Sequence, residues 1–416
     1  MAILGKYSFG IGDRFAHQGE YQLQAFIDAE KEGVSVTPVW NKSNREHKTV
    51  KSDPESVRVE ASNAVRNKGW TKSYLVDADH INMETVDGFV DSSDFFTIDV
   101  ANKIGEHLSE RELEEFVSSN KNYLGTFEIP GIKSAFEVNK DVLTKVANTF
   151  SKAVSEAKEI YSHIKSAKNG KEFAVEVSMD EVNDPQSPLE LFFILKLLGE
   201  AGIPVNTIAP KFTGRFNKGV DYEGDIKRFE KEFEEDLLVI DYAVKEFGLP
   251  TDLKLSVHTG SDKFSLYPII NRLIKKHDAG LHLKTAGTTW LEEVIGLAES
   301  EGSGLEMAKE IYLSALERYD ELTVPYDTVL NIDKSKLPGS GVISTWDGHQ
   351  FSTALRHDQK NDSYNPHFRQ LIHTAYKIAF EKGDHFLNEL KKNSEIIGKN
   401  VYQNIFERHI KPLYIN

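Results

Sequence analysis

Asp79 and His80 stand side by side at the end of an apolar, β-prone run, Tyr-Leu-Val-Asp-Ala-Asp-His over residues 74–80. A strand buried on both faces can hold ionisable groups only where it ends, because an unpaired charge along its length is too costly to bury. Residues 253–258 end likewise in His258, residues 281–284 carry His282 and Lys284, and residues 173–180 hold Glu176 between apolar neighbours. A divalent metal held by nitrogen and oxygen needs about three protein ligands and one open position if it is to act on substrate. His80, His258 and His282, each at or near a strand end, supply three. Asp79, one residue from His80, points to another side of the strand end and suits a base better than a ligand; Glu176 supplies the second proton-transferring carboxylate. The bland alternative is a set of satisfied core histidines and a structural ion pair at Glu176.

Such residues must be carried by a scaffold that gathers strand ends. Strand and helix signals alternate along nearly the whole chain. Helices are predicted over 21–32, 54–69, 140–166, 188–202, 224–247 and 267–276, and strands over 34–40, 74–80, 173–180, 205–211, 253–258, 281–284 and 341–345. About eight strands in this rhythm predict an α/β fold, a (β/α)8 TIM-type barrel forming a single domain over 1–416. Residues 101–140 read as a helical insertion and 350–416 as a helical C-terminal extension packed on the barrel. That extension carries His357, His367, His373, His385 and His409, whose spacing predicts exposed or capping roles. Residues 41–47 read as a polar loop dense in donors, either solvated or binding a polyol or carboxylate. At the start, Gly10 and Gly12 lack the third glycine of a dinucleotide fingerprint. They indicate a close backbone approach at a strand end, or an Arg14 that meets an anion.

Composition narrows the chemistry. With no cysteine among 416 residues, disulfides, thiolate metal sites and cysteine nucleophiles are excluded, so a tightly held metal must use His, Asp or Glu. A formal net charge of −15 argues against a nucleic-acid binder. No run approaches the roughly 20 apolar residues of a membrane span. The opening Met-Ala-Ile-Leu-Gly-Lys lacks the pattern of a secretory signal, so a cytoplasmic protein without membrane partners is expected, and a homo-oligomer is left open.

Ala78-Asp79-His80 is similar to the Asp-His step of class II, metal-dependent aldolases, and residues 257–261, Val-His-Thr-Gly-Ser, look like their later metal and substrate turn, which implies a substrate contact at Ser261. Over nearly the whole chain the sequence resembles the tagaturonate/fructuronate epimerases. The strings that carry this are residues 7–15 (Tyr-Ser-Phe-Gly-Ile-Gly-Asp-Arg-Phe), 38–46 (Pro-Val-Trp-Asn-Lys-Ser-Asn-Arg-Glu), 256–264 (Ser-Val-His-Thr-Gly-Ser-Asp-Lys-Phe) and 281–287 (Leu-His-Leu-Lys-Thr-Ala-Gly). The resemblance implies a divalent-metal isomerase (Zn, Ni, Mn or Co) that interconverts two keto-hexuronates. In it Asp79 is the proton acceptor, Glu176 the proton donor, and His80, His258 and His282 the metal ligands.

The reaction explains the aldolase-like equipment. Counted from the carboxylate, the ketone is at carbon 5 and the inverted centre at carbon 3, one carbon beyond the reach of simple enolisation. Breaking the bond between carbons 3 and 4 and remaking it on the other face inverts that centre. Basic residues at the lip are expected to meet the carboxylate of the substrate, with Arg14, Lys42, Arg45, Lys211, Lys263 and Lys284 as candidates. Three other readings stay open. A class II-type aldolase would release fragments, a sugar isomerase would need more carboxylate ligands, and a non-catalytic sugar-acid binding protein would need neither Asp79 nor a metal.

Overall fold

The computed structural model describes residues 4–180, 182, 184–285 and 287–416. Among the described residues ten strands follow in chain order: β1 (Tyr7–Ile11), β2 (Val36–Ser43), β3 (Leu75–Ile81), β4 (Phe95–Asp99), β5 (Gly125–Phe127), β6 (Phe136–Val138), β7 (Ala174–Ser178), β8 (Thr207–Ala209), β9 (Lys254–His258) and β10 (Leu281–Lys284). Eight of them close a parallel barrel in the order β1-β10-β9-β8-β7-β4-β3-β2, the predicted (β/α)8 architecture.

The strand sequences alternate, and the alternation decides which face goes where. Val76 and Ala78, Phe96 and Ile98, Val175 and Val177, and Leu281 and Leu283 belong to the large apolar core shared with the surrounding helices. The opposite face starts apolar, with Leu4, Val39, Leu75, Phe95 and Ala174 forming a separate small cluster. Further along the same faces the residues turn polar: Asp77 and Asp79 on β3, Thr97 on β4, Glu176 on β7, Ser256 on β9 and Lys284 on β10 are all buried. With a period of two, these positions share the face of the apolar plug and line the barrel interior above it. The chemistry is therefore concentrated at the C-terminal end of the barrel, where this fold holds its sites.

Three predicted elements change. Residues 41–47 are not a loop: β2 runs to Ser43, and a helix spans Asn44–Val50. Ser43 and Glu46 form a capping box there, each side chain satisfying the other's backbone, so the polar run is a helix start. Residues 341–345 are a helix, Ser340–Thr345, because a barrel closed by eight strands leaves no edge for another. The 101–140 segment holds the helix Glu110–Ser119 and also the antiparallel pair β5–β6, so it is not purely helical.

From residue 348 to the end the described elements are helices, seated against Thr288–Glu299 and the barrel. One close crossing explains the fit: a Cβ on Gly296 would lie 2.6 Å from Ile397 Cα, so only glycine lets the helix Ser394–Gln403 approach. The histidines of this region divide. His385 is exposed and His367 half-buried, but His357, His373 and His409 are buried, contrary to their predicted exposed or capping roles. His357 and His409 pack around Asp262, which accepts hydrogen bonds from Arg369 Nη2 (2.7 Å) and Thr288 Oγ1 (3.1 Å) and lies 3.2 Å from His357 Nδ1 and 3.5 Å from His409 Nε2. This buried anion joins the β9 turn to the C-terminal helices. No described helix is long and apolar enough to cross a membrane.

Candidate active site

Strict alternation would turn His80 away from the barrel interior that Asp79 faces. Instead His80 adopts a left-handed backbone, φ 53°, and the register between β3 and β4 shifts between Ala78 and Ile81. A non-glycine residue held there costs about 1–3 kcal/mol, and such strain concentrates at functional sites. The bulge brings His80 to the side of Asp79, whose Oδ1 lies 2.9 Å from His80 Nδ1. His80 Nε2 is then directed to Asp180, 3.4 Å away, just beyond the end of β7.

His258, at the end of β9, is arranged the same way with its nitrogens exchanged. Its Nε2 is 2.7 Å from Glu176 Oε1, and its Nδ1 is 3.1 Å from Asp180 Oδ2 without a hydrogen-bonding geometry. Each histidine thus has one carboxylate behind it, Asp79 or Glu176, and turns its other nitrogen towards Asp180. One donor atom from each of His80, Asp180 and His258 lies within 4.8 Å of the others. This donor set fits a divalent cation: two imidazoles and a carboxylate, with the imidazole tautomers fixed from behind.

The electrostatics agree. Burial disfavours the His258 imidazolium, but Asp180 and Glu176 outweigh it and push its pKa up to about 9. His80 is likewise raised well above the usual range, with Asp79 overcoming burial. Asp180 is held well below the carboxylate range, where His258 overcomes burial. The carboxylates that raise both imidazoles make the centre of the group favourable to positive charge.

Beneath this group lies Lys284. Its ammonium donates to Asp77 Oδ2 (2.8 Å), Asp79 Oδ1 (3.0 Å) and Thr97 Oγ1 (2.6 Å) and is 3.0 Å from Glu176 Oε1. Burial alone would favour the neutral amine, yet Asp77, Glu176 and Asp79 raise its pKa well above normal. In turn Lys284, against burial, keeps Asp79 and Glu176 far below the carboxylate range. Room for this lysine comes from β1: a Cβ on Gly10 would lie 2.9 Å from Lys284 Cγ and 2.7 Å from Asn41 Nδ2, the close approach predicted for that glycine.

Above the group a cavity of about 640 Å³ opens, lined among others by Asp79, His80, Asp180, His258 and Lys284. Of the predicted substrate contacts, Arg14, Arg45 and Lys211 also line it. Lys42, Ser261 and Lys263 do not. Lys42 Nζ donates to Arg14 O (2.8 Å), Ser261 Oγ accepts from Gly219 N (2.8 Å), and Lys263 Nζ donates to Asn217 O and Val220 O. They hold the backbone of segments that reach the cavity.

Two more expectations shift. Glu176 is fully buried and takes no part in lining the cavity; Thr207, Thr97, His258 and Lys284 surround its carboxylate. His282 stands two residues below Lys284 on β10, pairs in register with Ser8 and Ser256, and has its Nδ1 2.8 Å from Ser8 Oγ. Burial pushes it down to about 3, and it lies outside the His80, Asp180 and His258 group. Asp180 is the residue that stands with His80 and His258. Sequence reasoning passed over Asp77 and Asp180. Asp77 was legible, being two residues from Asp79 on one strand face; Asp180 lies past the strand end, where alternation no longer speaks.

Comparison with known proteins agrees with this architecture. The chain is 27% identical over 425 residues to the tagaturonate/fructuronate epimerase of Thermotoga maritima, covering 98% of this chain and 80% of that protein. It superposes on the crystal structure of the fructuronate-tagaturonate epimerase of Cohnella laeviribosi with one glycerol at a TM-score of 0.82, 24% identity, over 99% of this chain and 81% of that one. The native form of the same protein gives 0.80 at 24% identity, over 98% and 81%. The family model for tagaturonate epimerase matches residues 2–413, so the chain belongs to the tagaturonate epimerase family and is an isomerase.

Proposed function

We propose that this enzyme interconverts D-tagaturonate and D-fructuronate at a divalent-metal site, by breaking and remaking the bond between carbons 3 and 4. The observation that supports it best is family membership joined to the paired histidines, each backed by a carboxylate and turned towards Asp180. His80, Asp180 and His258 would hold the metal. When bound, a divalent cation supplies a Lewis acid that stabilises negative charge developing at the ketone oxygen.

The residues of the chain divide the remaining work. Asp79 lines the cavity and is ionised, so it can take the proton of the carbon 3 hydroxyl. The electron pair of the bond between carbons 3 and 4 then forms the double bond between carbons 4 and 5, charge passes to the carbon 5 oxygen, and carbon 3 becomes an aldehyde. After that aldehyde turns its other face, carbon 4 attacks it again, and the proton held by Asp79 returns to the new hydroxyl. Lys284, donating to Asp79 Oδ1, favours the ionised carboxylate before the proton is taken and after it is returned. Glu176 orients His258 through Nε2, and no separate donor is needed because the proton is returned.

The test pairs an epimerisation assay on D-tagaturonate with elemental analysis. Chelation should abolish turnover and a divalent ion restore it. Activity that survives a metal-free preparation removes the metal from the reading, and accumulation of three-carbon products in place of D-fructuronate marks an aldolase.

A further inference from the structure

Three separated segments bring two cations and a further imidazole to the lining of the cavity. Arg14 follows β1, Lys218 lies in the loop after β8, and His373 belongs to the helix Pro366–Thr374; all three line the cavity. Arg14 is buried, with its Nε donating to Glu46 Oε1 (2.7 Å) and its guanidinium 4.1 Å from the Tyr376 ring centroid, yet its buried Nη1 has no hydrogen-bond partner. His373 is 2% exposed and its Nε2 is also without one. Two buried polar groups left unpartnered in residues that line one cavity call for an explanation, and a bound acceptor would supply one.

The loop that carries Lys218 is fixed at several points. Lys263 donates to Asn217 O and Val220 O, Gly219 N donates to Ser261, Gly219 O accepts from Arg369 Nε (2.7 Å), and Lys218 N donates to Val329 O (2.9 Å). The loop backbone is thus fixed, and the Lys218 ammonium lies 5.8 Å from the Tyr326 ring centroid, beside another residue that lines the cavity. His373 is kept neutral: burial first, then Arg14 and Lys218, lower its pKa well below the usual range. A neutral imidazole within the electrostatic reach of two cations adds a directional hydrogen bond without adding repulsion.

We propose that Arg14, Lys218 and His373 form the subsite that takes the carboxylate of the substrate, the end of the sugar acid remote from the histidine pair. This rests on the keto-hexuronate reading and adds the residues that select an acid over a neutral sugar. The C-terminal helices thereby contribute directly to specificity, through His373. Held at its carboxylate, the aldehyde fragment turns about the bond between carbons 2 and 3 without leaving.

The test compares two ligands of the metal-loaded enzyme: D-tagaturonate, and D-tagatose, which carries a hydroxymethyl in place of the carboxylate. Calorimetry gives both dissociation constants, whether or not turnover occurs. The wild type should prefer the acid, and Arg14→Gln, Lys218→Gln and His373→Gln should each reduce that preference by roughly tenfold or more for the cations, as expected for loss of a hydrogen bond to a charged group, while D-tagatose binding and metal content stay within about twofold. Arg14→Lys and melting temperatures guard against misfolding of Arg14→Gln. The subsite is wrong if folded variants keep the wild-type preference, or if binding of both sugars weakens equally. Wild-type enzyme that binds the acid selectively but never epimerises it overturns the functional reading and leaves the subsite standing.

Discussion

At the residue scale, Asp79 and Glu176 occupy equivalent places behind different histidines but differ in access to the cavity, and mutation separates their roles. Asp79→Asn keeps an oxygen able to accept from His80 Nδ1 and loses the basic carboxylate. Turnover of D-tagaturonate should fall by about 10²–10⁴ with metal content unchanged by elemental analysis. Glu176→Gln retains an acceptor for His258 Nε2 and should retain metal and much of the activity, whereas Glu176→Ala should weaken metal binding by about 10–100-fold in a competition titration. If instead Glu176 were the proton donor, both substitutions would abolish turnover at saturating metal. The left-handed backbone of His80, with the register shift beside it, lets two neighbouring residues serve one site.

At the scale of elements, the crossing of Thr288–Glu299 by Ser394–Gln403 depends on a missing side chain. Gly296→Ala sets a methyl 2.6 Å from Ile397 Cα, backbone that cannot swing aside. The two helices must separate, and overpacking of this kind costs about 1–3 kcal/mol. The melting temperature should drop by a few degrees, and proteolysis should reach the C-terminal helices first. An unchanged melting curve and digestion pattern would show that the crossing relaxes freely. Among these elements, the helix Asn44–Val50 was legible through its capping box, but its polar composition reads equally as a loop. The run 341–345 has strand composition and became a helix for want of a partner edge. Neither outcome is decided by local propensity, which competes with tertiary context on equal terms.

Across the whole molecule, Asp262 fastens barrel to extension. It stays ionised although buried, because Arg369 and then His357 more than offset the cost of burial. Its folded pKa is depressed, so its contribution to stability is complete above the ordinary value of 3.8 and is lost as pH falls through the folded value. Asp262→Asn leaves Arg369 buried beside a neutral amide and should destabilise by about 3–5 kcal/mol at neutral pH. The variant should also lose part of the acid sensitivity of the wild type, seen as converging melting temperatures below about pH 4. Parallel curves at all pH values would place the acid-labile group elsewhere.

What the sequence determined by itself was the barrel and the set of strands that bear its chemistry. Leu75, Asp77 and Asp79 lie two apart, as do Ala174 and Glu176, and that period already separates an apolar plug from a polar interior and assigns the outer face to helices. Long recognisable strings around Arg14, Asn41, His258 and His282 indicated the family before any coordinate. Only the tertiary structure decided which carboxylate backs which histidine, that Asp180 and not His282 joins His80 and His258, and that buried His373 reaches the cavity from the far end of the chain. These are matters of strand register, of one left-handed residue and of helix docking. They depend on distances between segments up to hundreds of residues apart, and no local pattern of side chains records those distances.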